Sequence, residues 1–212
     1  MDRQIDALTG LISGAELNAE MEALIEKGDE FALVKLDIDN LMPINQNFGI
    51  DAGNAIFRLI AARIGEIFPV PCMGFRGTRD EFDILVPGNK EEAFLGAERL
   101  RRAVCEESLG YVSADGTPLK QSVSTGVSSF PDDGSRPADI LRRADGAMMR
   151  AKKNGRNLVY LAKEEKLTPK TSHYTATQLE KLSLVAENTG AGEAALLREA
   201  LDDLLKKYDV DR

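Results

Sequence analysis

Four carboxylates in two pairs are the first residues here that could do chemistry. Asp37 and Asp39 lie where the apolar run FALVKLDID gives out, and Asp80 and Glu81 lie between the β-prone segments 73–76 and 82–87. Ends of β-structure are where divalent ions are held. Magnesium takes oxygen ligands at about 2.1 Å and binds through one or two carboxylates plus substrate phosphates, so one acid from each pair would suffice. Solvated turn residues would show the same spacing, and the pattern alone leaves both readings open. Lys152 and Arg156, at i and i+4 at the end of a helical stretch, could neutralise the helix C-terminal dipole or clamp a triphosphate.

The elements that must position these groups follow from periodicity. Leu17, Met21, Leu24 and Ile25 share a helical face, and the helix feeds a strand ending near Asp37. Helical spacing returns at 51–68, stopped by Pro69 and Pro71, and again at 91–106 and 137–153, before the short strand LVYL. MGFR (73–76) and FDILVP (82–87) are separated only by Gly77 to Glu81 and read as a hairpin, and a second hairpin is expected to include 118–129. Interleaved strands and helices with hairpins predict an α+β fold and exclude a purely parallel doubly wound sheet, and with it a phospho-accepting receiver. The expected organisation is a domain over 1–162, a polar linker over 163–192 and an amphipathic helix over 193–212 with Leu197, Leu201, Leu204 and Tyr208 on one side. That stripe suits either a lid on the domain or a dimer or partner-binding helix.

Composition narrows the partners. The chain has 212 residues, 43% apolar and 29% charged, enough to bury a core without disulfides or structural metals. Cys72 and Cys105 are isolated and His173 is the only histidine, so zinc sites and a histidine triad are poorly supported. With 35 acidic against 27 basic residues the net charge is −8, which opposes a broad phosphate-backbone contact, and nucleic acid is not an expected partner. No apolar run is long enough for a membrane span, and MDRQIDALTG lacks the features of a signal peptide, so a cytoplasmic protein is expected.

Six motifs carry a resemblance. DALTGL at 6–11, DIDNLMPINQNFGIDAGN at 37–54, RGTRDEF at 76–82, SVSTGV at 122–127, FPDDG at 130–134 and ADGAMMRAKKNGRN at 144–157 stand in the order and spacing of the GGDEF domain of bacterial diguanylate cyclases. Those enzymes condense two GTP into cyclic di-GMP. The resemblance implies a palm-like fold of the nucleotidyl cyclase type, with a central, mostly antiparallel sheet surrounded by helices. It implies that Asp37, Asp80 and the Ile38 position hold magnesium on the triphosphate, and that Glu81 supports catalysis near the metal or the attacking hydroxyl. Lys152 and Arg156 match the basic pair that touches phosphates, and Asn45 matches the asparagine that reads guanine.

The sequence also departs from the family pattern. Thr78 and Arg79 replace two glycines of the signature, restricting φ and adding side chains where the nucleotide approaches. Met42 replaces a phosphate-holding lysine, a loss that Arg79 could offset, and Ile50 replaces a histidine. Asn54 replaces an aspartate, so the guanine N1–H and N2–H pair meets an amide with one acceptor and one donor. ProValProCys at 69–72 lacks the RxxD product-inhibition site. The expectation is a degenerate domain that binds a nucleotide triphosphate, GTP above all, or a protein partner, with a homodimer possible. An active diguanylate or mixed cyclic-dinucleotide cyclase is the alternative.

Overall fold

Strand β2 (Phe31–Ile38) is buried along its whole length, and its period-two alternation divides the core. Ala32, Val34, Leu36 and Ile38 join the larger apolar cluster with Ile56, Ile60, Ile64 and Leu100, while Phe31 and Leu33 join Leu17, Met21 and Ile140 on the opposite face. Lys35 and Asp37 follow Phe31 and Leu33 at the same parity, so one strand face passes from apolar to charged toward its C-terminal end.

The computed structural model describes residues 3–163, 171–189 and 192–208, and the chain divides into units Met1–Glu164 and Glu165–Arg212. The remaining elements of the first unit are β1 (Ile12–Ser13), α1 (Leu17–Lys27), α2 (Leu41–Phe48), α3 (Ile50–Ile67), β3 (Met73–Arg76), β4 (Glu81–Pro87), α4 (Lys90–Glu106), β5 (Val123–Phe130), α5 (Pro137–Lys153) and β6 (Val159–Leu161). They form one sheet in the order β1-β3-β4-β2-β5-β6. The three central pairings are antiparallel and the two outer ones parallel. This is the expected α+β sheet surrounded by helices.

Helix α5 lies close on the sheet because β5 carries glycine at its crossing point. A Cβ on Gly126 would stand 2.0 Å from the Ala144 carbonyl oxygen, and buried Ala144, Ala147 and Ala151 keep the helix surface low. That close approach brings the end of α5 over the end of β2.

Two expectations need correction, and one helix is new. Residues 118–129 do not form a hairpin: β5 lies between β2 and β6, with only an isolated bridge between Val112 and Pro118 before it. Its burial on both faces is that of an interior strand, which periodicity alone does not separate from a hairpin arm. Helix α2 was not anticipated from LMPINQNF, where a proline and two asparagines weaken the helical signal. The stretch 163–192 is not wholly linker, since the second unit contains α6 (Ala176–Thr189) before α7 (Glu193–Lys207). Thr175 and Gln178 form a reciprocal capping box: Thr175 Oγ1 accepts from the Gln178 N–H at 3.2 Å and Gln178 Oε1 accepts from the Thr175 N–H at 2.9 Å.

Candidate functional site

At the charged end of β2, Asp37 pairs in register with Glu81 on β4 and Ser124 on β5. Its carboxylate is buried, with Oδ2 2.9 Å from Lys152 Nζ. Lys152 therefore faces the acid rather than the helix end. Burial pushes the Asp37 carboxyl up to about 6; Lys152 pulls against that shift, and the charges of Asp80 and Glu81 add to it. Asp37, Asp80 and Glu81 thus share this end of the sheet, where their oxygens could contribute to holding a divalent cation.

The Ile38 N–H donates to the Asp80 carbonyl at 3.1 Å and ties the signature hairpin to the strand end. The Ile38 side chain lies in the core, so only its main chain could reach an ion. Among the described residues no group of three or more acidic, histidine or cysteine side chains is arranged to enclose a metal. The donors fit magnesium in its commoner mode, one or two carboxylates with phosphate oxygens filling the remaining positions.

Asp39, two residues along, has a different role. Its carboxylate accepts from Ser122 Oγ and Ser124 Oγ, both at 2.7 Å, and from the Asn157 N–H at 3.1 Å. It anchors the turn after α5 to the end of β2. That turn corrects the reading of Lys152 and Arg156 as one helical pair. The helix ends at Lys153, Gly155 turns the chain at φ 115°, and Arg156 follows at φ 63° with its side chain exposed.

Behind the site lies a buried ionic cluster. Lys35 and Asp83 are register partners on β2 and β4, and Lys35 Nζ stands 3.0 Å from Glu81, 3.5 Å from Asp83 and 3.7 Å from Asp145. Burial alone would lower the Lys35 ammonium, but Asp83, Asp145 and Glu81 outweigh it and hold it above its ordinary value. Burial pushes the Asp83 carboxyl up to about 6 against the pull of Lys35. Glu81 is thus held from behind by a lysine that motif reading passed over. The signal was present, since Lys35 and Asp83 interrupt two otherwise apolar strands.

The hairpin loop is closed from inside. The Gly77 N–H donates to the Glu81 carbonyl at 3.0 Å and the Glu81 N–H to that of Thr78 at 3.1 Å. The Arg76 guanidinium donates to the carbonyls of Gly77 at 2.8 Å and Glu81 at 2.7 Å and also to that of Arg79, while lying over the Phe57 and Phe82 rings. Arg79 adopts φ 54°, left-handed backbone that favours glycine. The loop keeps a glycine-type turn without the glycine, and the Thr78 and Arg79 side chains are both exposed.

On α2 and α3, Asn45 and Asn54 are half-buried. Asn45 Oδ1 fills the space where a Cβ of residue 53 would stand, 2.1 Å away, and is buried with no hydrogen-bond partner among the described residues. Such an oxygen is unusual in a finished core and suits a site completed by a ligand. Met42 and Ile50 on the same helices are exposed.

Residues 3–158 match the family model described as "Diguanylate cyclase, GGDEF domain". The chain belongs to the GGDEF family. Over 163 residues it is 31% identical to the response regulator PleD of Caulobacter vibrioides, covering 73% of this chain and 35% of that protein. Diguanylate cyclase A of Treponema denticola is 32% identical over 139 residues, 65% of this chain and 37% of that one. This chain therefore spans little more than a third of either. The GGDEF domain of DgcB from Caulobacter crescentus, solved in complex with c-di-GMP, is 26% identical with a TM-score of 0.66, covering 76% of this chain and 97% of that one. The diguanylate cyclase SiaD of Pseudomonas aeruginosa, solved with its activator SiaC, gives the same identity and score over 74% of this chain and 61% of that one. Residues 166–209, beyond the GGDEF unit, match the model of a ribbon-helix-helix domain.

The GGDEF fold brings Asp37, Asp80, Glu81 and Lys152 to one end of the sheet. Among the described residues no helix is long and apolar enough to cross a membrane.

Proposed function

We propose that the GGDEF unit binds a nucleoside triphosphate with magnesium and serves as a regulatory module, with condensation of GTP to cyclic di-GMP lost or far below the rate typical of the family. The observation that carries this reading is the signature loop, where Thr78 and Arg79 place two side chains on the turn that meets the substrate and Arg79 takes a glycine-type φ of 54°. Asp37, Asp80 and the Ile38 main chain would hold magnesium, which neutralises phosphate charge and aligns an attacking hydroxyl when present. Lys152, now paired with Asp37, would exchange that carboxylate for phosphate oxygens, and Arg156 and Arg79 are exposed cations that could join it. Asn45 and Asn54 would face the base. Two amides can each turn to present donor or acceptor, so GTP and ATP should bind within about tenfold of each other.

A second reading, an active cyclase with relaxed base choice, is favoured by the retained left-handed turn and by the intact pairing of Asp37 with Lys152. One pair of measurements separates the two. Titration with GTP and ATP, with and without magnesium, should show metal-dependent binding that Asp80→Asn abolishes. Incubation with GTP and magnesium at high protein concentration should give no steady product by mass spectrometry. Steady cyclic di-GMP would establish the second reading, and affinity unchanged in Asp80→Asn would show that Asp80 takes no part in holding a metal.

A further inference from the structure

Two acids face each other at the end of the sheet, and each has a cation of its own. Asp37 on β2 and Glu81 on β4 are register partners, so their side chains leave the same face from opposed positions, where like charges repel. Asp37 turns to Lys152 on α5, 2.9 Å from its Nζ. Glu81 turns the other way, to Lys35 two residues back on β2, whose Nζ donates to its Oε2 at 3.0 Å. The Lys35 side chain is buried, and Asp83 on β4 and Asp145 on α5 stand 3.5 and 3.7 Å from the same nitrogen. An ammonium has three N–H donors, and here three carboxylates surround one. The register partner of Lys35 on β5 is Gly126, and the close approach of α5 at Ala144 that this glycine permits brings Asp145 in.

We infer that Lys35 is a positioning residue that withdraws Glu81 from the metal site. Its ammonium supplies from within the chain the positive charge that an ion would supply from solution, and it leaves Asp37 and Asp80 as the side chains that meet a metal. Glu81 cannot change sides at little cost. Pulling it off a buried ammonium leaves that charge short of a partner, a penalty that any bond from Glu81 to a metal would have to exceed. Asp37 differs, because its partner Lys152 is the more exposed of the two lysines and is released into water or onto phosphate. The inference rests on the reading of Asp37 and Asp80 as metal ligands and deepens it, by removing from the ligand set the one acid of the three that a buried lysine holds.

The test uses the full chain and Mn²⁺ alone, an oxygen-preferring stand-in for magnesium whose free form is counted by electron paramagnetic resonance. Lys35→Met with Asp83→Leu removes the ammonium together with its most buried partner. This variant should bind Mn²⁺ at least about tenfold more tightly than the unmodified chain, since the number of charged oxygen ligands sets the affinity of such sites. Adding Glu81→Gln to it should cancel the gain, whereas Glu81→Gln in the unmodified chain should shift affinity by no more than about twofold, the non-additivity expected of residues that share a contact. No gain in the first variant, a gain that survives Glu81→Gln, or an unmodified chain that loses as much affinity with Glu81→Gln as with Asp80→Asn would overturn the inference. If the first variant does not fold, that last comparison decides alone. Mn²⁺ binding indifferent to Asp80→Asn would instead refute the reading of the metal site, so the two failures are read at different residues.

Discussion

The floor and the rim of the GGDEF site are held in place in different ways. On the floor, Asp37 and Lys152 pair with one another, and around them stand Asp39, Lys35 and Asp83, each bonded across two or more elements. On the rim, Met42, Ile50, Thr78 and Arg79, the positions read from the sequence as departures from the family pattern, are all exposed. The difference teaches that an intact floor is weak evidence for catalysis. Its residues are tied into the packing of β2, β4 and α5, and replacing one costs stability whether or not a substrate is ever turned over. A rim residue is held by little besides its function.

Four tests would break or sharpen that contrast. The largest effect is expected from Gly126→Val, which drives a side chain into the Ala144 carbonyl and should cost more than about 3 kcal/mol in denaturant unfolding, or prevent folding. Next, Lys35→Met leaves Glu81, Asp83 and Asp145 without their shared cation and should cost about 3–5 kcal/mol. The double variant Lys35→Met with Asp83→Leu should recover much of that loss, since it removes the abandoned buried charge as well. A third test uses pH. Asp37 keeps its proton up to about 6 in the fold against about 3.9 in the unfolded chain, so the native state binds more protons across that window. Its contribution to stability therefore falls as pH rises from about 4 through 6, and Asp37→Asn should make the denaturation midpoint less steeply dependent on pH there. The smallest effect belongs to the rim: Arg79→Gly relieves a left-handed residue and should be neutral or stabilising by up to about 1 kcal/mol. Thr78→Gly, at a position without a positive φ, should gain nothing.

Much of this contrast was legible in the sequence. The carboxylate pairs and the interruption of the signature glycines are visible as residue types, and the strand and helix periods place them at element ends. What stayed hidden depended on pairing between distant segments. Asp39 looked equivalent to Asp37 until Ser122, Ser124 and Asn157 were seen to consume its acceptors. Lys35 carried no motif, and its meaning depends on the β2–β4 register that sets it opposite Asp83. Arg156 looked helical because spacing cannot show that Gly155 turns the chain first. In the second unit, Thr175 and Gln178 have capping-box spacing, but the polar stretch around them carries no helical period of its own.

Arg76 gives the signature hairpin a further property. Its guanidinium donates to the carbonyls of Gly77, Arg79 and Glu81 and rests on two aromatic rings, so its position is fixed by the hairpin itself. It works as an internal clasp. A loop fastened at three carbonyls by one side chain has little room to adjust, and the nucleotide of the proposed function would have to accept its shape as found. On the proposed function, selectivity at this rim would be set by fit before contact, with the clasp acting as a template rather than as a hand that closes.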